Sequence, residues 1–75
     1  MKILRVKNKN DEKRIGIVSA KDWFPKTKPY YITDKDYVVG EWYDFHDGSK
    51  SNIEGRMTIA ICREFKDAKM IFDKK

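Results

Sequence analysis

The stretch Trp23-Phe24-Pro25-Lys26-Thr27-Lys28-Pro29-Tyr30-Tyr31 puts four aromatic rings and two ammonium groups within nine residues. Rings offer flat faces on which nucleobases stack, and lysines neutralise phosphates and release their counterions. The same rings are favoured anchors at protein interfaces, because they bury much area at small conformational cost. Either use needs the rings at the surface. Trp23, Phe24, Tyr30 and Tyr31, with Trp42 further along, are therefore the candidate stacking or interface residues. In so small a domain any one of them is more readily a core residue, but burial of all five is not expected.

Charge divides the chain unevenly. Its net charge is +5, yet residues 1–28 hold nine Lys/Arg against Asp11, Glu12 and Asp22, and residues 29–75 hold eight against nine acids. The candidate phosphate-binding surface is Arg5, Lys7, Lys9, Lys13, Arg14, Lys21, Lys26 and Lys28. Beyond it lies an acidic island, Asp34, Asp36, Glu41, Asp44 and Asp47, opposed within 34–47 only by Lys35. A basic part beside an acidic one attracts polyanions on one side only, and it can equally steer a protein partner. With four arginines against thirteen lysines, the chain is poorly equipped to read base edges, for which arginine is favoured.

Catalytic chemistry has little to work with. The chain has one histidine, His46, and one cysteine, Cys62, whereas acid–base and nucleophilic mechanisms need two or three groups within hydrogen-bond reach. Cys62 falls in an apolar strand, where a thiol is ordinarily inert. No phosphate-cradling glycine loop or nucleophile elbow is present. Glu41, Asp44, His46 and Asp47 are close in sequence, and such groups bind divalent ions, but neither calcium-loop nor zinc spacing is met. That segment reads as a hairpin end; no metal or cofactor is expected, and the chain is expected not to be an enzyme.

The elements that must position these groups follow from size and periodicity. Seventy-five residues make one domain, 1–75, with a marginal core. A single cysteine excludes an intramolecular disulfide and suits a reducing, cytoplasmic setting. The charged start Met1–Lys7 does not read as a signal peptide, and no apolar run reaches membrane-spanning length. Strands are predicted at Lys2–Lys7 and Arg14–Ser19, joined by the Asn/Asp-rich turn 8–12 into a hairpin. In the first, Leu4 and Val6 share one face and Arg5 and Lys7 the other. Ala20–Lys28 reads as a loop punctuated by Pro25 and Pro29. Tyr30–Thr33 is a short strand candidate and Tyr37–Phe45 the strongest one, with Val39, Glu41, Tyr43 and Phe45 on one face and Val38, Gly40, Trp42 and Asp44 on the other. After turn chemistry at His46–Asn52, Arg56–Cys62 alternates, with Met57, Ile59 and Ile61 together. Phe65, Ala68 and Phe72 then hold helical spacing. One longer helix is the alternative, because Ser51-Asn52-Ile53-Glu54 matches a capping box, but Gly55 would fall in its second turn.

This pattern predicts a mainly β (α+β) fold: a small SH3-like or OB-like five-stranded barrel or curled sheet with a short C-terminal helix. In layout, an N-terminal hairpin followed by further strands and a terminal helix, it is similar to the small basic chromatin proteins of thermophilic archaea, with no motif shared residue by residue. The expected function is a non-enzymatic binding module. Nucleic-acid binding directed at the backbone, through the basic hairpin and the aromatic loop, is the first reading. The second is a small interaction or inhibitor protein, of the kind phages and mobile elements encode, docking on a host protein through the aromatic loop and the acidic island. An uncovered strand edge would also permit a homodimer. Finally, Ile53-Glu54-Gly55-Arg56 resembles the recognition tetrapeptide of the clotting protease used to remove fusion tags. An exposed loop there would be cut, and a regular helix would resist.

Overall fold

A computed structural model describes residues 2–24, 26–47 and 50–75, with side chains for all of these except 45–47 and 50–52. Four strands, β1 (Ile3–Asn8), β2 (Lys13–Ser19), β3 (Tyr37–Asp47) and β4 (Lys50–Cys62), form one antiparallel sheet in the order β1-β2-β3-β4. A single-turn helix α1 (Ala20–Trp23) follows β2, and α2 (Phe65–Asp73) closes the described fold. The sheet is open, with β1 and β4 as its edges. The predicted strand to Cys62 followed by a short helix is what forms; the single long helix is not.

The β1–β2 turn forms for the reason its composition suggests. The Asn10 side-chain oxygen accepts the backbone N–H groups of Glu12 and Lys13 at 3.1 and 2.8 Å, an Asx turn that ties the loop to itself. The central strands are covered on both faces. Ile15, Gly16, Ile17 and Val18 are buried in succession, as are Val38 to Trp42, because neighbouring elements cover both sides of the pleat. One face carries Val18, Ala20, Trp23, Ile32, Val38 and Trp42. The other carries Ile15, Ile17 and Val39, packed against Ala68 and Phe72 of α2. A nine-residue helix is marginal alone, so α2 depends on this packing; Phe65, Ala68 and Phe72 make the predicted stripe.

Several expectations change. Tyr30–Thr33 is not a strand. Pro29 O accepts the Ile32 N–H at 3.0 Å, closing a turn that sends both tyrosines outward and plugs Ile32 into the core. A fifth strand is therefore missing, and no pairing closes the sheet among the described residues. Within the predicted loop, Ser19 caps α1 by accepting the Asp22 N–H. In β1 the register shifts between Ile3 and Arg5, so the alternation inverts: Leu4 packs toward α2, Lys7 becomes half-buried there, and Val6 is 51% exposed. In β4 a shift opposite Val39 and Gly40 separates Ile61 from Ile59 and Met57. The expected turn at His46–Asn52 narrows, since Asp47 pairs with Lys50; Gly48 and Ser49 lie outside the described residues. Both edge strands carry such a bulge, and β1 adds Arg5 and Lys7, features that oppose edge-to-edge pairing.

The Ile53–Arg56 tetrapeptide lies in β4, neither loop nor helix. Gly55 has φ 63°, a conformation other residues rarely adopt, and the Arg56 guanidinium donates to Trp23 O at 2.9 Å. A protease must draw an extended segment into its cleft, which here means detaching β4. The folded protein is expected to resist the clotting protease and to be cut at Arg56 in denaturant the protease tolerates. Prompt cleavage without denaturant would show that β4 detaches readily.

Candidate binding surface

The hairpin cations are drawn into the fold itself. Arg5 donates to Leu4 O at 2.8 Å and sits 5.1 Å from the Phe65 ring centroid. The Lys7 ammonium lies 4.5 Å above the Phe72 ring and donates to Phe72 O at 2.7 Å, placing a cation on the carbonyl end of α2, where the helix dipole favours it. Arg14 donates to Asn10 O and Asp11 O. Lys9 and Lys13 both reach the Glu41 carboxylate, at 2.6 and 3.2 Å, and Lys13 also lies over the Tyr43 ring. Hence the basic hairpin is largely an internal device that fastens β1 and β2 to α2 and β3.

Glu41 does not belong to an exposed acidic surface. It is 6% exposed, and its carboxyl is held below the usual range, first by the hydrogen bond from Lys9 and then by Lys13, against the opposing effect of burial. Asp36 is also buried; it accepts the Thr33 N–H at 3.0 Å and shapes the turn into β3. Asp34 is exposed and paired with Lys28. Asp44 is half-buried, its N–H donating to Glu12 O at 2.8 Å. The side chains of His46 and Asp47 lie outside the described residues. The acidic island is thus dispersed.

The aromatic candidates split by environment. Trp23 and Trp42 are core residues at 4% and 1% exposure, packed edge to face with centroids 6.0 Å apart. The Trp23 indole N–H donates to Thr58 Oγ1 at 2.9 Å, so its one polar atom is satisfied. Phe24 is half-buried against the same cluster. Tyr30 and Tyr31 are the surface pair, 99% and 63% exposed, with centroids 5.6 Å apart and planes at 87°. Lys21 and Lys26 are exposed on the same connection, without an anionic partner among the described residues. Cys62 is half-buried and its thiol is pushed up by burial and by Asp67, which disfavours the thiolate.

An open cleft of about 620 Å³ lies beside this connection, lined by Lys2, Leu4, Ser19, Lys21, Asp22, Asp34, Lys35 and Tyr37. Lys2, Lys35 and Tyr37 were not among the sequence candidates. Lys35 looked like a minority charge in an acidic run, and nothing local links it to Lys2, 33 positions away. Three elements bring them together: the entry to β1, α1, and the turn before β3. Among the described residues, no helix is long and apolar enough to cross a membrane, and no three His, Cys, Asp or Glu side chains group as metal ligands. Compared with protein-family models, curated proteins and solved structures, the chain has no significant match.

Proposed function

We propose that this chain is a cytoplasmic, non-enzymatic binding domain that holds a nucleic-acid strand by its backbone, using the connection between β2 and β3 in place of the hairpin. The open sheet serves as a curled scaffold of SH3-like or OB-like kind. The observation that carries it is the Tyr30–Tyr31 pair, exposed on a turn closed at its base by Lys28 and Asp34 and flanked by Lys21 and Lys26. Exposed rings next to uncommitted cations are the two components that non-specific single-strand binding needs. The turn supports this use because Ile32 anchors it in the core.

Tyr30→Ala with Tyr31→Ala is expected to leave the melting temperature nearly unchanged, since both rings are solvated, and to weaken binding to a labelled single-stranded oligonucleotide. Stacking is worth about 1–3 kcal/mol per base, so the loss in Kd should be tenfold or greater. Fluorescence anisotropy over a salt series checks it. Wild-type protein that binds neither DNA nor RNA at low salt rejects the reading.

A second reading, docking on a host protein as a phage-type inhibitor would, is favoured by a different observation. Tyr43 and Met57 are exposed on one face of β3 and β4, where the lysine over the Tyr43 ring, Lys13, is already paired with Glu41. Binding to a protein through that surface would persist at high salt, in contrast to phosphate contacts.

A further inference from the structure

We propose that the cleft between β1, α1 and the turn before β3 is a phosphate-binding subsite, which takes the phosphodiester next to the bases stacked on Tyr30 and Tyr31. The inference rests on the nucleic-acid reading and gives it a location. Lys2, Lys21 and Lys35 line the cleft, and none of their ammonium groups has an ion-pair partner among the described residues. This distinguishes them from Lys7, Lys9 and Lys13 of the hairpin, which are committed to Phe72 O and Glu41.

Two carboxylates also line the cleft, and both are engaged. Asp34 is paired with Lys28, and Asp22 accepts the Lys2 backbone N–H at 2.9 Å. Counting Lys28, four cations surround two anions, a local excess of positive charge that attracts an incoming oxyanion. Ser19 and Tyr37 add hydroxyl groups to the lining, which suits a phosphate oxygen as acceptor. The Ser19 hydroxyl oxygen accepts the Asp22 N–H, leaving its proton for another acceptor.

The cleft and the tyrosine turn adjoin along the chain. Asp34 belongs to the cleft wall and to the ion pair that closes the tyrosine turn. Tyr31 precedes it by three residues, so their Cα atoms are within about 11 Å even in a fully extended chain. A strand stacked on the tyrosines and running toward Asp34 would bring its neighbouring phosphodiesters to the cleft lysines.

The test is oligonucleotide binding by Lys21→Glu/Lys35→Glu, compared with Lys66→Glu/Lys69→Glu on α2 as a control of equal charge change. The cleft pair should lose at least tenfold in affinity, and its conservative version, Lys21→Ala/Lys35→Ala, should lower the salt slope by about 0.7 per lysine. The helix pair should lose less than threefold. Equal losses in the two charge-reversed proteins would mean that net charge alone acts, and would overturn the subsite while leaving the nucleic-acid reading in place. Failure of the wild type to bind any oligonucleotide would overturn both. Inorganic pyrophosphate, titrated against the lysine NMR signals, separates the remaining source of phosphate. Perturbation of Lys21 and Lys35 at the same midpoint as the oligonucleotide would assign the cleft to a small anion and reject the strand-borne one.

Discussion

Gly40→Ala should destabilise the domain by about 1–3 kcal/mol, an overpacking cost, and most of that cost should vanish when Trp23 is also replaced by alanine. A Cβ at Gly40 would lie 2.4 Å from the Trp23 ring, and its three nearest atoms all belong to that ring. Trp23→Ala alone should cost about 3–5 kcal/mol, the range for removing a buried aromatic side chain. In a domain of this length each kcal/mol lowers the melting temperature by roughly 4–8 °C, so the single tryptophan variant is expected to melt at least about 12 °C lower. The double variant places the new methyl in the space the ring vacates, and thermal melts of the four proteins should give a strong coupling energy. Simple additivity would sink the ring-on-glycine account. Gly16 makes the contrast: its Cβ would meet Arg5 O at 2.5 Å as well as the Trp42 ring at 2.6 Å. Backbone does not vacate, so Trp42→Ala should not rescue Gly16→Ala.

Glu41→Gln is the second large effect, about 1–3 kcal/mol near neutral pH from the loss of charge-assisted bonds to a buried group. Lys9 and Lys13 keep some access to water, which holds the loss below that of stranding a fully buried charge. The pH dependence gives the discriminating sign. The folded carboxyl titrates below its ordinary 4.5, so the folded state holds that proton less tightly than the unfolded chain. Its contribution is complete above the ordinary value and declines as pH falls through the lowered folded one. The gap in melting temperature between wild type and Glu41→Gln should be widest near neutrality and close on acidification. A gap that stays constant from pH 7 to pH 3 would show that Glu41 acts by packing alone.

These two sites show why part of the surface was misjudged from sequence. Lys9, Lys13 and Glu41 appear as members of a basic run and an acidic run, because charge counted along a chain carries no information about pairing across strands. Lys13 is opposite Tyr43 in the β2–β3 register, which puts its ammonium two positions from Glu41 on the same face. Likewise Trp23 and Trp42 had the residue type of interface anchors, and only their positions over Gly40 and Gly16 assign them to the core. Tyr30 and Tyr31 have the same aromatic character and the opposite fate, decided by a turn at Pro29 that rotates both outward.

The sequence alone determined the mainly β class, the β1–β2 hairpin, the two faces of β3 and the stripe of α2. Each depends on period-2 or period-3.6 alternation or on local turn chemistry, which are interactions between neighbours in the chain. The aromatic-lysine connection was also legible, as a composition. Tertiary structure decided the rest: the open four-stranded sheet, the inverted faces beyond the β1 and β4 bulges, the pairing of hairpin cations and the lysine cleft. A bulge is one residue of register, which periodicity does not reveal. Lys2, Lys21 and Lys35 become neighbours only when the β1 entry, α1 and the turn before β3 converge at one end of the sheet.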